Sequence, residues 1–151
     1  MSITSQTMGV GARTRASDES RPGRDYDSAE GPRRLLIVED NEDTSQVLRM
    51  WLESGGYEVV TAGDGWDGVQ SVLHNRYDAI LMDMSLPTMD GMSALRLIRA
   101  HEGLRRVPVV AITAYDAAYP RAEAMESMCD EYLVKPLDFG RLEAVLRRIL
   151  S

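Results

Sequence analysis

The chain of 151 residues contains one cysteine, Cys129, one phenylalanine and one lysine, Lys135. A lone cysteine excludes an internal disulfide and a cysteine-built metal centre, and it fits a reducing compartment, where Cys129 reads as a small, half-buried apolar residue. Long hydrophobic runs are missing too. No stretch approaches the roughly 18 apolar residues that span a bilayer, and the first twenty residues lack the apolar core of a secretory signal, so a soluble, cytoplasmic protein without a membrane partner is expected. Positive charge is in short supply as well. With 17 Lys plus Arg against 24 Asp plus Glu, the net charge is -7 and the pI about 4.8. A module that holds phosphate backbones by counterion release needs the opposite balance, so direct DNA binding is not expected. The two histidines, His74 and His101, sit alone at predicted helix ends and form no ligand set.

Composition changes near residue 32. Residues 1 to 32 are rich in Ser, Gly, Thr and Arg, with little that is aliphatic beyond Ile3, Met8 and Val10. Such a segment buries too little apolar surface to offset its ordering entropy, and it reads as a disordered N-terminal extension. Its early residues have the Arg and Ser content of a transit peptide but no clear apolar face. Residues 33 to 151 have the size of one domain with its own core.

Within that domain, short apolar runs alternate with helical spacing. Strands are predicted over Arg34 to Glu39, Tyr57 to Thr61, Asp78 to Met82, Val107 to Ile112 and Glu131 to Val134. Between the first two strands, Val47, Leu48, Trp51 and Leu52 share a helical face, and Gly55-Gly56 ends that helix. After the second strand, Trp66, Val69, Val72 and Leu73 repeat the pattern; after the third, Met92, Leu95 and Ile98 do. A weakly patterned helix is expected over 117 to 128, with Pro120 in its first turn. The last helix starts at Asp138 as N-cap, with Leu137 and Leu142 placed as a hydrophobic staple. Five strands alternating with five helices imply right-handed crossovers and a parallel sheet covered on both faces.

In such a sheet, ligands bind beyond the carboxyl ends of the strands. Those ends carry Glu39-Asp40, Asp83, Thr113 and Lys135. Three crowded carboxylates repel one another unless a counter-charge is supplied, and a hard divalent cation such as Mg²⁺ is the natural one. With the ammonium of Lys135, the charges balance, leaving a cradle suited to a phosphoryl group and a carboxylate able to accept it. Lys135 stands out further because all other strongly basic side chains are arginine.

The stretches LLIVED, ILMDMSLPTMDG, VVAITA and EYLVKPLD, in that order, resemble the four blocks of the receiver domain of two-component response regulators, and the resemblance covers residues 33 to 151. It implies a flavodoxin-like (βα)5 fold with strand order 2-1-3-4-5. It makes Asp83 the phosphoacceptor. Mg²⁺, for which Mn²⁺ can substitute, would be held by Asp40, Asp83 and the backbone carbonyl of Ser85, with Glu39 acting through a bound water. Thr113 and Lys135 would hold phosphoryl oxygens, Thr113 and Tyr132 would be the switch pair, and the Lys135-Pro136 bond would be cis. The phosphoryl donor would be a phosphohistidine on a histidine kinase or histidine phosphotransfer protein. Output would pass to a downstream protein through the face of the fourth helix, fifth strand and fifth helix, by a monomer or a phosphorylation-dependent dimer. On this reading the protein is no enzyme toward other substrates and catalyses only its own phosphorylation and dephosphorylation. Ending at Ser151, just past the last helix, the chain is expected to be a stand-alone receiver.

Departures from the family pattern lie between Thr113 and Tyr132, where Met128, preceded by Ser127, stands before Cys129 at a position often held by glycine. Tyr115 and Ser85, each two residues past a site residue, flank the phosphoryl position and bear on how long it survives. Two rival readings are an interaction module that works without phosphorylation and an aspartyl-phosphate phosphohydrolase. The latter normally carries Asp-x-Asp after its first strand, where this chain has Glu39-Asp40-Asn41-Glu42.

Overall fold

The strands are built on runs of β-branched and aliphatic residues, and four of the five end at or directly before a charged or hydroxyl side chain. In the computed structural model, which describes residues 31–86, 89–114 and 128–151, they are β1 (Arg34–Val38), β2 (Glu58–Ala62), β3 (Ala79–Asp83), β4 (Val109–Thr113) and β5 (Glu131–Val134). The sequence expectations for residues 1 to 30, for Tyr115 and for the helix over 117 to 127 fall outside the described residues. All four strand pairings are parallel, in the order β2-β1-β3-β4-β5, as expected from the resemblance. The described helices are α1 (Glu42–Ser54), α2 (Gly65–His74), α3 (Gly91–Ala100) and α4 (Phe139–Leu150), with a short 3-10 turn at Glu102–Leu104.

Side chains alternate across a strand, and β1 divides its own between two cores. Leu36 and Val38 join Ile80, Met82, Val109 and Ala111 beneath α2 and α3, where Val69, Val72, Met92, Leu95 and Ile98 meet them. Leu35 and Ile37 face the other way, with Leu81, Val110 and Ile112, under Leu48 and Leu52 of α1 and Leu142, Val145 and Leu146 of α4. Burial on both faces explains why β3 and β4 read as continuous apolar runs.

Each described α-helix starts with an Asn or Asp side chain accepting a backbone N–H of the first turn: Asn41 from Thr44, Asp64 from Asp67, Asp90 from Ser93 and Asp138 from Arg141. Leu142 is fully buried and Leu137 packs against the same core, as the staple requires. At the end of α1, Gly56 adopts φ +97, a left-handed conformation that other residues rarely take, so the two-glycine stop is accounted for.

Two apolar stripes differ from expectation. In α1, Ser45, Leu48 and Leu52 are buried while Val47 is 53% exposed, and Trp51 is half-buried on the flank against Phe139, ring centroids 4.9 Å apart. In α2, the buried stripe is Gly65, Gly68, Val69 and Val72; Trp66 and Leu73 turn outward. The reason is close approach. A Cβ at Gly68 would lie 2.8 Å from a methyl of Val38, so α2 sits on the sheet through its smallest residues and its bulky neighbours are displaced to the flank.

Candidate functional site

Backbone pairing continues one residue past the strand ends and so brings the predicted residues to one edge. The Glu39 N–H donates to the Ala62 carbonyl (3.0 Å), the Met84 N–H to Ile112 (2.8 Å) and the Lys135 N–H to Thr113 (2.8 Å). Asp83 is the last residue of β3, opposite Ile112 of β4, and Val38, just before Glu39, is opposite Met82. Lys135 follows β5 and precedes Pro136 through a cis bond, as expected.

The result is a compact charged cluster. Carboxylate oxygens of Glu39, Asp40 and Asp83 lie within 4.8 Å of one another. Glu39 and Asp83 are buried, at 6% and 2% exposure, while Asp40 faces solvent. Lys135 Nζ donates to Asp83 Oδ2 at 3.2 Å and stands 3.9 Å from Glu39 Oε1. The other Asp83 oxygen accepts the Ser85 backbone N–H at 2.9 Å. Glu39 Oε2 accepts the backbone N–H of Asn41 at 3.0 Å. Burial pushes the Glu39 carboxyl above its ordinary value; the Asn41 N–H opposes this, Asp83 adds to it by repulsion, and Lys135 pulls the other way.

Thr113 ends β4 fully buried. In the strand alternation it follows Val109 and Ala111, which belong to the α2/α3 core, and Tyr132 packs against that same core. Glu39 follows Leu35 and Ile37, and Asp83 follows Leu81, in the alternation of the α1/α4 side. Ser85 therefore meets the site through its N–H, in addition to the carbonyl role expected from the resemblance.

Several contributors were not legible as site residues. Asn41 caps α1 through its side chain, and its backbone N–H also holds Glu39. Gly91 is another: a Cβ there would lie 2.6 Å from the Asp83 carbonyl oxygen and 2.6 Å from Met84 Cα, so α3 starts in direct contact with the Asp83 backbone. The only sequence signal for it was the Asp-Gly pair opening the helix.

Chemically, oxygen donors of three carboxylates, one face open to solvent and one ammonium form a site for a hard divalent cation and an anionic group. A family model, the response regulator receiver domain, matches residues 35–147. The chain belongs to this family. As a receiver domain, it is 40% identical over 118 residues to the hybrid signal transduction histidine kinase G of Dictyostelium discoideum, covering 76% of this chain and 3% of that protein. It is 36% identical over 117 residues to the transcriptional regulatory protein PrrA of Mycobacterium tuberculosis, covering 78% of this chain and 49% of PrrA. The receiver thus spans about half the length of that regulator. Among solved structures, the receiver domain of a sensor histidine kinase from Pseudomonas aeruginosa is 41% identical with a TM-score of 0.73, covering 80% of this chain and 98% of that one; it was crystallised with a magnesium ion coordinated in its active-site cleft. Receiver domains are the phosphoacceptors of two-component signalling, phosphorylated on aspartate. Among the described residues no helix is long and apolar enough to cross a membrane.

Proposed function

We propose that this receiver accepts a phosphoryl group on Asp83 from a phosphohistidine of a histidine kinase or histidine phosphotransfer protein, and signals by changed protein contacts. The observation that carries the reading is the Asp83 carboxylate, buried, 3.2 Å from the chain's only lysine and within 4.8 Å of two further carboxylates. No purely structural need places three acids and one ammonium together at a strand edge.

The donor set fits Mg²⁺, which prefers oxygen ligands and tolerates several waters. Asp40 and Asp83 would hold it with the Ser85 carbonyl, and Glu39 would act through a bound water. When bound, Mg²⁺ supplies Lewis-acid stabilisation of the phosphoryl oxygens. In the transfer, one Asp83 oxygen attacks phosphorus, the phosphorus–nitrogen bond to the donor imidazole breaks, and that nitrogen keeps the electron pair and regains a proton. Lys135 neutralises charge on Asp83 and on the incoming oxygens as a compact point charge. The Ser85 N–H fixes the rotamer of Asp83, and the Asn41 N–H fixes Glu39. Thr113 would donate its hydroxyl proton to the transferred group, and with Tyr132 on the same core it forms the switch pair.

Residues 33 to 151 would form the whole receiver unit, with output through the predicted helix over 117 to 128, β5 and α4. A groove of about 530 Å³ along β5, lined by Tyr132, Val134 and Arg141 among others, supports protein contact there. The net charge of -7 supports a protein target over DNA.

The test is incubation of the purified protein with acetyl phosphate and Mg²⁺, read by intact-mass spectrometry. One phosphoryl group should appear on the wild type and none on Asp83→Asn, which keeps the shape but loses the nucleophile. Undiminished labelling of the Asn variant would overturn the assignment.

A further inference from the structure

Arg99, near the end of α3, makes more interactions than any role in α3 itself requires. Its Nε donates to the Met128 carbonyl at 2.9 Å. Its Nη1 is within donor distance of three carbonyls: Val107 at 2.7 Å, Arg105 at 3.0 Å and Leu104 at 3.1 Å. Nη2 pairs with Asp130 at 3.5 Å, and the side chain is only 16% exposed. Asp130 in turn accepts the Val109 N–H at 2.8 Å and donates its own N–H to the Val109 carbonyl at 2.9 Å. One guanidinium therefore ties the C-terminal end of α3 to the roots of β4 and β5.

The opposite end of α3 is also committed. Gly91 abuts the Asp83 carbonyl and Met84, with its N–H 3.4 Å from the Met84 oxygen. A helix of 10 residues is about 15 Å long and stiff on that scale. It spans the distance from the backbone of Asp83 to the residues that immediately precede Tyr132.

We propose that Arg99 is a positioning residue of the receiver switch: through α3 and Asp130 it couples displacement of the Asp83 backbone to the root of β5, and so to Tyr132. This rests on the assignment of Asp83 as phosphoacceptor. Packed elements respond to small shifts as bistable units, and coupling is carried by rigid elements gripped at both ends. A strut gripped only at Gly91 would let its far end slide, and a shift at Asp83 would dissipate in the turn at 128–130. Arginine is suited to this grip because its planar fork addresses several acceptors at once, which an ammonium on a flexible stem does not.

The test compares wild type, Arg99→Lys and Asp130→Asn, each with acetyl phosphate and Mg²⁺. Phosphoryl uptake is followed by mass spectrometry and the phosphorylation-dependent shift of the Tyr132 amide by NMR. Uptake should stay within about twofold of wild type, while the Tyr132 shift per phosphorylated molecule falls to about half or less, as a loss of bias between two states requires. Arg99 as a mere staple predicts lower melting temperatures with the Tyr132 shift unchanged, and that result overturns the proposal. Should the Lys variant not fold, Asp130→Asn decides, since it keeps an acceptor for the Val109 N–H and loses only the charge facing Arg99. Failure of the wild type to take up a phosphoryl group would instead count against Asp83 as acceptor.

Discussion

Replacing Lys135 by methionine removes the one positive charge in the acidic cluster while keeping an unbranched stem of similar length. At 3.2 Å from Asp83 Oδ2, two unit charges attract by about 5 kcal/mol at an effective dielectric constant near 20. The net contribution is much smaller. Bringing the carboxylate and ammonium out of water has already offset most of that attraction, and Lys135 keeps 35% of its side chain in solvent. What Lys135→Met leaves behind is nonetheless two carboxylates, Glu39 and Asp83, with 5% and 3% of their side chains exposed and no cation between them. Removing one partner of a fully buried pair costs about 3–5 kcal/mol, so with this exposure a loss of about 1–3 kcal/mol is expected without Mg²⁺. Urea unfolding at neutral pH in the presence of a chelator measures it. The same substitution made on Asp83→Asn should cost about 1 kcal/mol less, because one of the stranded charges is gone. Saturating Mg²⁺ should stabilise Lys135→Met more than wild type, since the ion replaces the missing counter-charge. Equal cost of Lys135→Met in both backgrounds, or no cost at all, would refute the view that these groups interact as one electrostatic unit.

Gly91→Ala should destabilise the domain by about 1–3 kcal/mol despite a helix-propensity gain of about 1 kcal/mol, because the new methyl meets backbone atoms at 2.6 Å. Gly140→Ala in α4, whose nearest contact is a side-chain oxygen of Asp138 at 3.3 Å, should be neutral or stabilising; equal thermal melts for the two variants would contradict this. For Glu39, whose folded pKa lies above its ordinary value of 4.5 chiefly through burial, folding takes up protons. Its contribution to stability is therefore present at low pH and is lost as pH rises through the window from 4.5 to the folded value. Without metal, Glu39→Gln should flatten the decline in stability between weakly acidic and neutral pH; a variant with the wild-type slope would show that Glu39 does not set it.

The strand ends were legible because three apolar runs in one chain end at a charged residue, Glu39-Asp40, Asp83 and Lys135, and a fourth ends at the hydroxyl of Thr113. Asp83 and Lys135 are 52 positions apart and meet at 3.2 Å because β3, β4 and β5 are adjacent and parallel, an order taken from the family resemblance and not from periodicity. The Asp138 cap was legible because capping is local. Helix faces were less so. Helical spacing placed Trp66 and Leu73 inward with Val69 and Val72, since periodicity cannot tell that glycines will set the approach of α2 to the sheet. The grip of Arg99 left no local trace either, because apart from Asp130 its partners are backbone carbonyls, which every residue carries.

The two edges of the sheet show how one residue type is put to opposite uses. At the amino end, Asp78 donates its N–H to the Arg34 carbonyl at 2.7 Å and accepts the Arg34 N–H at 2.7 Å, and Asp130 makes the same pair of bonds with Val109. Those carboxylates close the start of the ladder, where backbone N–H groups need partners. At the carboxyl end, the ladder exposes carbonyls instead, so Glu39, Asp40 and Asp83 find few donors: Glu39 and Asp83 take one backbone N–H each, from Asn41 and Ser85, and share the ammonium of Lys135. Acids at the amino end are consumed by the fold. Acids at the carboxyl end are left with oxygen lone pairs facing a common opening, which raises the free energy of the folded chain and is relieved when a cation binds. This division follows from the polarity of a parallel sheet alone, and it is why a substitution such as Asp78→Asn should cost stability with little effect on Mg²⁺ affinity, whereas Asp40→Asn should lower Mg²⁺ affinity and leave the metal-free fold as stable as before or more so. Titration of both variants with Mg²⁺, alongside urea unfolding, separates the two roles; a loss of Mg²⁺ affinity in Asp78→Asn equal to that in Asp40→Asn would show the edges are not independent.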